Sequence, residues 1–287
     1  MNNIKQYFIL CRLPISLFAA CSAATGYLVA PAFDPVRLAL LAAGVFLLAA
    51  GASALNQYQE RDIDMLMERT RFRPLPAGTL SPRTVMTASL LLLASGLSLL
   101  GTTGAVSATL GVFTVLWYNG LYTPLKRRTA FAAVPGALVG AIPPLLGWAA
   151  GNGRLDDPKA FALAALFFLW QVPHFWLLLL AHRDAYERAG LPHLFRLLPG
   201  NQLARITFLW TAAASLACIG LPLFGLAASP AIFGLLLTLA FGMTIQGLRV
   251  FRHDGSPATA LAVFRISTVF LALLMILLSI EAVIRRS

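Results

Sequence analysis

Three side chains near residue 60 have types and spacing that suit metal chemistry. Asn56, Glu60 and Asp64 stand at i, i+4 and i+8 within "NQYQERDIDMLMERTRFRPLPAG". On a helix this spacing places them on one face over about two turns, while Asp62 points elsewhere. Two carboxylates and an amide offer the oxygen atoms that Mg²⁺ prefers. The pattern therefore predicts a magnesium site near the end of a helix.

The same stretch continues into a stiff and strongly basic turn. Arg69, Arg71 and Arg73 lie within five residues, and the prolines that follow them end any helix. Guanidinium groups bind phosphate oxygens in a bidentate geometry. Beside the acidic face, these arginines predict a site that holds a metal ion and a polyanion together. A loop that only sets membrane orientation would carry the same charges.

A second polar stretch, "WQVPHFWLLLLAHRDAYERAGLPHL", adds ionisable groups to a long apolar run. Asp184 follows the end of the run, so its carboxylate could approach the acidic face from across a bundle. His174 lies within the run. An isolated helical histidine is most often a hydrogen-bonded structural residue, but inside a membrane it marks function more often. Between the two stretches, Lys126 in "YTPLKRRT" is placed to reach a phosphate.

The elements that must position these residues are membrane-spanning helices. The 287-residue chain is 59% hydrophobic and 11% charged, with a mean hydropathy of +0.78. These values exclude an ordinary soluble domain and predict an all-α, polytopic membrane protein with a single domain over residues 1–287. The chain has about nine apolar segments long enough to cross a bilayer. They are Pro14–Phe33, Val36–Tyr58, Thr84–Gly104, Val106–Tyr122, Phe131–Ala150, Ala160–Ala181, Ile206–Ala227, Pro230–Leu248 and Ala258–Ile284.

The net charge of +11 comes from Lys and Arg in short loops between the spans, not from one basic face. No nucleic-acid partner is therefore expected. Most of these cations fall on the side that holds the N-terminus, and the positive-inside rule puts that side in the cytoplasm. The predicted active-site loops, at residues 59–83 and 182–204, face the cytoplasm in this arrangement.

An alternative to a catalytic acidic face is a solvated helix end that i,i+4 charge pairs stabilise, such as Glu60 or Asp64 beside Arg61 and Glu68. For a soluble helix this ordinary explanation is the better one. Ionisable groups at the mouth of a membrane bundle are costly and tend to mark function. The membrane setting therefore favours a functional site.

Two acidic stretches with basic neighbours in a helical membrane bundle resemble the UbiA-type intramembrane prenyltransferases. The first motif of that family, NxxxDxxxD, corresponds here to Asn56, Glu60 and Asp64, with a glutamate in the middle place. Five stretches, spread over most of the chain, are similar to the branch that farnesylates protoheme IX. They are "RTRFRPLPAG" from Arg69, "YTPLKRRT" from Tyr122, "GAIPPLLGW" from Gly140, "WQVPHFWLL" from Trp170 and "YERAGLPHL" from Tyr186.

The resemblance implies transfer of a farnesyl group from farnesyl diphosphate to a vinyl group of heme b in a bacterial inner membrane, with Mg²⁺ as cofactor. The residues that would hold the diphosphate through Mg²⁺ are Asn56, Glu60, Asp64 and Asp184. Those that would neutralise it directly are Arg12, Arg69, Arg73 and Lys126. His174 would contact the heme on its iron side or its propionate side, since imidazole suits iron. Heme-handling or oxidase-assembly proteins are the further partners that the resemblance implies.

The chain also departs from this branch. Asp184 is followed by Ala185 where a second acid is common, and His193 stands where Met is common. The first span begins with "CRLPIS", which keeps only Arg12 of a more basic pattern. These departures leave open a different acceptor, such as an aromatic quinone precursor. Outside the enzymes, the alternative is a transporter or a non-catalytic assembly protein whose charged loops gate or dock.

Overall fold

A computed structural model describes residues 3–188, 190, 192–198, 200–253 and 255–286, and every regular element in them is a helix. The predicted loop 182–204 therefore lies partly outside the described residues. The α-helices are α1 (Asn3–Leu10), α2 (Leu13–Leu28), α3 (Pro35–Gln59), α4 (Arg61–Leu66), α5 (Pro82–Thr103), α6 (Ala105–Val115), α7 (Thr123–Leu125), α8 (Ala133–Ala150), α9 (Pro158–Ala181), α10 (Arg183–Arg188), α11 (Gly200–Ile219), α12 (Pro230–Arg252) and α13 (Pro257–Ile284).

Among these described helices, seven are long and apolar enough to cross a membrane, namely α3, α5, α8, α9, α11, α12 and α13. The pair α1 and α2 adds an eighth span if its 54° bend lies within one crossing. The segment Val106–Tyr122, expected as the fourth span, falls outside this group because it does not form one regular α-helix. Helix length and composition thus give seven or eight spans, and the expected nine are not confirmed.

The irregular segment has a local cause. After α6 the backbone continues as a π-helix over Leu116–Tyr122 and then as the short α7. Pro124, the second residue of α7, has no N–H, so the carbonyl of Gly120 cannot receive the usual i→i−4 hydrogen bond. A wider helical turn accommodates such an interruption, and π-turns of this kind are frequent at functional sites.

Three large apolar cores hold the bundle together. The first is formed by α2, α3, α5 and α8, with Tyr27, Leu100 and Leu146 among its buried side chains. The second is formed mainly by α9, α11, α12 and α13 around residues such as Leu166 and Leu274. The third is formed by parts of α8, α9, α11, α12 and α13 around Leu177 and Val263. Contacts of α8 with α9, and of α2 with α13, join the two halves. The loops that carry most of the charged motifs gather at one end of this bundle.

Glycines allow α2 and α8 to approach at backbone distance. A Cβ atom at Gly147 would lie 1.9 Å from the carbonyl oxygen of Ala23, and one at Gly26 would lie 2.0 Å from that of Pro144. Small residues at helix crossings are the usual means of close packing inside a membrane. The crossing matters for the site because α2 begins directly after Arg12.

This crossing gives a stability prediction. Gly147→Ala should lower the melting temperature of the detergent-solubilised protein, because the new methyl group meets backbone atoms that cannot rotate away; overpacking of this kind costs about 1–3 kcal/mol or more. The matched control is Gly234→Ala in α12, where nothing lies within 4 Å of the new atom. Alanine is the better helix former, so the control should melt at the same or a higher temperature. Equal melting temperatures for the two variants would contradict the close crossing.

Candidate functional site

The acidic face keeps its helical phase across the junction of α3 and α4. Glu60 N–H donates to the Asn56 carbonyl at 2.9 Å, and Asp64 N–H donates to the Glu60 carbonyl at 2.8 Å. As whole residues, Asn56, Glu60 and Asp64 are 0%, 8% and 3% exposed, whereas the neighbouring Arg61 and Asp62 are exposed. The structure therefore places the three motif residues together on one buried face.

The Asn56 amide is held from both sides. Its Oδ1 accepts a hydrogen bond from the Arg12 guanidinium at 3.0 Å, and its Nδ2 donates to Thr123 Oγ1 at 2.9 Å. Arg12 also reaches the Tyr118 hydroxyl at 3.4 Å. The amide thus joins the start of α2 to α7 and brings one cation to the head of the acidic face.

Each buried carboxylate on this face has a cationic partner from another segment. Lys126 Nζ lies 2.5 Å from Glu60 Oε1. Arg73 donates from Nη1 to both carboxylate oxygens of Asp64, at 2.6 and 2.7 Å. An unpaired charge in such a buried position is strongly disfavoured. The arginine turn and the end of α7 therefore complete the acidic face.

Asp62 points away from this cluster, as its helical phase requires. It forms a bidentate pair with Arg127 at 2.9 and 2.7 Å, and the two side chains are 60% and 38% exposed, respectively. The hydrogen bonds from Arg127 lower the pKa of the Asp62 carboxyl. Exposed pairs of this kind contribute little to stability. The pair is a surface contact that offers a natural control for the buried pairs.

Asp184 does not join the buried acids. It is exposed on α10 and lines a cleft of about 600 Å³ together with Arg69, His182 and Arg188. Within the described ranges, no group of three or more Asp, Glu, His or Cys side chains could hold a metal ion. Of the four expected metal contacts, the structure thus brings together Asn56, Glu60 and Asp64 and leaves Asp184 in the neighbouring cleft.

The second loop reaches the charged cluster through Tyr186. Burial raises the pKa of its phenol, the charges of Arg69 and Arg73 lower it, and that of Glu60 raises it. The two loops also meet directly, because Arg188 Nη2 lies 4.0 Å from Glu68 Oε2. Asp184, two residues before Tyr186, remains at the surface because α10 exposes that face.

His174 lies deeper in the bundle, within a stack of rings. Its imidazole is stacked between Trp170 and Phe264, with ring centroids at 4.4 and 4.2 Å. Its Nδ1 lies 2.8 Å from Ser267 Oγ, whose own proton goes to the Phe264 carbonyl. With the serine proton directed to that carbonyl, Nδ1 donates to Ser267 and Nε2 keeps the free lone pair. Sequence alone left this choice of tautomer open.

The sequence patterns missed three residues that complete the cluster. Tyr118 and Thr123 bind the side chains of Arg12 and Asn56. The ring of Tyr122 lies under the Lys126 ammonium at 4.9 Å and stacks on Phe175. A signal was present in "WYNGLYTPLK", where two tyrosines and a lysine recur every four residues. This spacing puts them on one side of the helix that ends at the site.

Residues 16–279 match the UbiA prenyltransferase family. The chain belongs to this family. The match spans both acidic stretches and every described helix from α3 to α12. The membership confirms the family that the motifs indicated, and with the apolar helices it makes the protein a multi-pass integral membrane protein.

Within the UbiA family, the chain is similar to several proteins that are named protoheme IX farnesyltransferases. A protoheme IX farnesyltransferase of Geobacter sulfurreducens is 44% identical over 227 residues, which are 78% of this chain and 83% of the relative. Relatives of the same name from Sorangium cellulosum and Nitratidesulfovibrio vulgaris are 42% and 36% identical, each over 88% of this chain and 89% and 90% of the relative.

Solved structures of the UbiA family share the fold. A digeranylgeranylglyceryl phosphate synthase superposes with a TM-score of 0.79 at 17% identity, covering 98% of this chain and 99% of its own. A UbiA homologue from Archaeoglobus fulgidus bound to GPP and Mg²⁺ gives a TM-score of 0.68 at 17% identity, with 96% and 99% covered. The expected all-α UbiA fold is thereby confirmed.

Proposed function

We propose that this UbiA-family prenyltransferase transfers the farnesyl group of farnesyl diphosphate to a vinyl group of heme b, which makes heme O for terminal oxidases. The observation that carries the proposal is the identity of 36–44% to three protoheme IX farnesyltransferases over at least 78% of the chain. The paired charges at the end of α3 support it, because they can accept a metal ion and a diphosphate together.

The reaction begins with cleavage of the C–O bond of farnesyl diphosphate, and the bonding electrons leave with the diphosphate. The vinyl group of heme b then supplies the electron pair for a new bond to the allylic carbon. Water adds to the remaining cation and releases a proton. Negative charge therefore develops on the leaving oxygen, and cations fixed in place beforehand stabilise it most effectively.

The chain supplies these cations in three different segments. Lys126 ends the helix after the π-turn, Arg73 belongs to the arginine turn, and Arg12 stands between α1 and α2. Arg69 lies near Tyr186 and lines the neighbouring cleft. All four would contact diphosphate oxygens. When the diphosphate enters, Lys126 and Arg73 exchange their carboxylate partners for phosphate oxygens.

The oxygen donors of Glu60 and Asp64 fit Mg²⁺, which is commonly bound by one or two carboxylates and substrate phosphates. Asn56 would support them by ordering the face, and Asp184 would reach the same ion only from across the cleft. When bound, Mg²⁺ would offset part of the charge on the leaving diphosphate. The UbiA homologue from A. fulgidus that was solved with GPP and Mg²⁺ supports a role for Mg²⁺ in this proposal.

We assign His174 to the heme. Its Nδ1 is occupied by Ser267, and Nε2 keeps the lone pair that an iron ion accepts. The stack with Trp170 and Phe264 fixes the plane of the ring. Histidines that bind a metal ion through one ring nitrogen typically donate a hydrogen bond from the other, which fixes the ring orientation and the tautomer.

We place the charged end of the bundle at the cytoplasmic face of the inner membrane. Most Lys and Arg residues stand in the loops at this end, as the positive-inside rule requires. Farnesyl diphosphate, which carries several negative charges, would reach the site from the cytoplasm, and heme b from the bilayer. Oxidase-assembly proteins that receive the product are the further partners in this proposal.

A product assay tests the reaction. Detergent-solubilised protein with farnesyl diphosphate and Mg²⁺ should convert heme b to a product whose mass includes the farnesyl group and one water, and should leave 4-hydroxybenzoate unchanged. Prenylation of 4-hydroxybenzoate instead would point to an aromatic acceptor. With neither acceptor modified and no diphosphate released, the protein would be a transporter or an assembly factor.

Two neighbouring aspartates give a matched pair of variants. Asp64→Asn should lower kcat for heme farnesylation by about 100-fold or more, because it removes charge from the buried face that contacts the reacting group. Asp62→Asn removes only an exposed ion pair. Such pairs contribute about 0.2–1 kcal/mol to stability, so kcat should change little. Equal losses in the two variants would contradict the assignment of the buried face.

The paired charges also predict strong coupling between Mg²⁺ and pyrophosphate. Mg²⁺ alone would take Glu60 and Asp64 from their partners and leave Lys126 and Arg73 uncompensated. Pyrophosphate alone would leave the carboxylates uncompensated. Calorimetry should therefore show that saturating Mg²⁺ raises pyrophosphate affinity by about 5- to 150-fold, the usual range of coupling between sites. Independent binding would contradict the exchange of partners.

The heme assignment has its own spectroscopic test. His174→Ala should shift the absorption spectrum of heme bound to the detergent-solubilised protein, because the iron loses a nitrogen ligand. The control is His253→Ala, an exposed histidine at the end of α12. A spectrum that His174→Ala leaves unaltered would remove the assignment, without bearing on the farnesyl diphosphate site.

A further inference from the structure

The backbone between α1 and α2 has an unusual conformation at Arg12. The two helices meet at an angle of 54°, and Arg12 has φ 44° and ψ 54°, in the left-handed region. Glycine is the usual residue there, because a Cβ atom makes this conformation unfavourable. An arginine in this position indicates that its side chain is required where the turn directs it.

The turn directs the Arg12 guanidinium to the head of the acidic face. It donates to Asn56 Oδ1 at 3.0 Å and to the Tyr118 hydroxyl at 3.4 Å. The hydroxyl of Ser16 secures the turn from the α2 side by donating to the Cys11 carbonyl at 2.7 Å. The position of this cation therefore depends on where α1 ends.

One side chain of α3 holds that end. Gln57 Nε2 donates to the carbonyls of Ile9 and Leu10 at 3.2 and 2.7 Å, the last two residues of α1. Carbonyls at a helix end lack the usual intrahelical donors. The Ile9 carbonyl also accepts from the Arg12 N–H at 3.2 Å, so Gln57 binds the same carbonyl that the Arg12 backbone binds. Gln57 is fully buried, and its Oε1 has no partner within the described residues. A buried acceptor without a partner is unfavourable, so the two donated bonds must outweigh it.

Gln57 follows Asn56 directly, so adjacent residues of α3 hold two parts of the same segment. Asn56 holds the Arg12 guanidinium, and Gln57 holds the backbone that precedes Arg12. We propose that Gln57 is a positioning residue for the diphosphate site, which fixes Arg12 by anchoring the last carbonyls of α1. The inference rests on the role given to Arg12 in the proposed function.

Packing alone is the competing explanation for the position of α1. Leu10 is buried in a small cluster with Ala54 and Val85, and the Thr79 hydroxyl donates to Gln6 Oε1 at 3.0 Å. If these contacts suffice, the amide of Gln57 is dispensable. The two explanations differ in what happens when the amide is replaced by an apolar group of similar length.

A double-mutant cycle on the full chain separates them. Gln57→Met keeps the length of the side chain and removes the donor, and Arg12→Gln removes the cation. Calorimetric affinity for pyrophosphate with Mg²⁺ should fall about tenfold in each single variant, and the double variant should match Arg12→Gln, because residues that act through one another are not additive. In Gln57→Met the KM for farnesyl diphosphate should rise and kcat should fall, because Arg12 also stabilises the charge on the leaving diphosphate, while the KM for heme b should stay unchanged.

Several results would overturn the inference. Wild-type pyrophosphate affinity in Gln57→Met would show that packing suffices, and fully additive losses would show that Gln57 acts independently of Arg12. Unchanged affinity in Arg12→Gln would remove the role of Arg12 itself, whichever acceptor the enzyme farnesylates. If Gln57→Met fails to fold, Gln57→Asn, one methylene too short to reach both carbonyls, serves in its place. The remote Gln246→Leu in α12 should bind pyrophosphate as the wild type does.

Discussion

The site depends on the neutralisation of buried carboxylates by cations that other segments supply. Glu60 and Asp64 are nearly inaccessible to solvent, at the edge of an apolar bundle where an isolated charge is very unfavourable. Lys126 and Arg73 compensate these charges. The end of α3, the arginine turn and the end of α7 must therefore fold against one another. In the proposed function, the same pairs would separate when a metal ion and a diphosphate bind together.

The π-helix is the constraint that brings the basic partner of Glu60 into place. Side chains of Leu116–Lys126 contact Arg12 and the acidic face, and the wider turn within this segment changes the direction in which the later ones point. Thr123 meets Asn56, and Lys126 meets Glu60. The wider turn precedes Pro124, whose missing N–H already breaks the regular series. Interruption of the helix and assembly of the site thus share one cause.

Local sequence predicted the features that depend on helical period. The spacing of Asn56, Glu60 and Asp64 was sufficient to place them on one face and Asp62 off it, because i→i−4 hydrogen bonds continue through the junction. Partners across the bundle could not be predicted, since the pairing of Glu60 with Lys126 depends on how distant helices pack. The exposed position of Asp184 was missed for the same reason. The π-helix was missed because hydropathy measures apolar length and does not detect a change of helical turn.

The ion-pair partners explain why a glutamate, and not an aspartate, stands at position 60 of the acidic motif. Asp64 is reached by an arginine, whose two-oxygen contact suits a short side chain. Glu60 is reached by a lysine that extends from α7, and the additional methylene of glutamate helps to span that distance. With Asp184 outside the buried cluster, the first loop alone supplies the acids, and the second contributes Tyr186 and the cleft. In the proposed function, two carboxylates would be few ligands for a magnesium ion, and the substrate's own phosphates would supply much of its coordination.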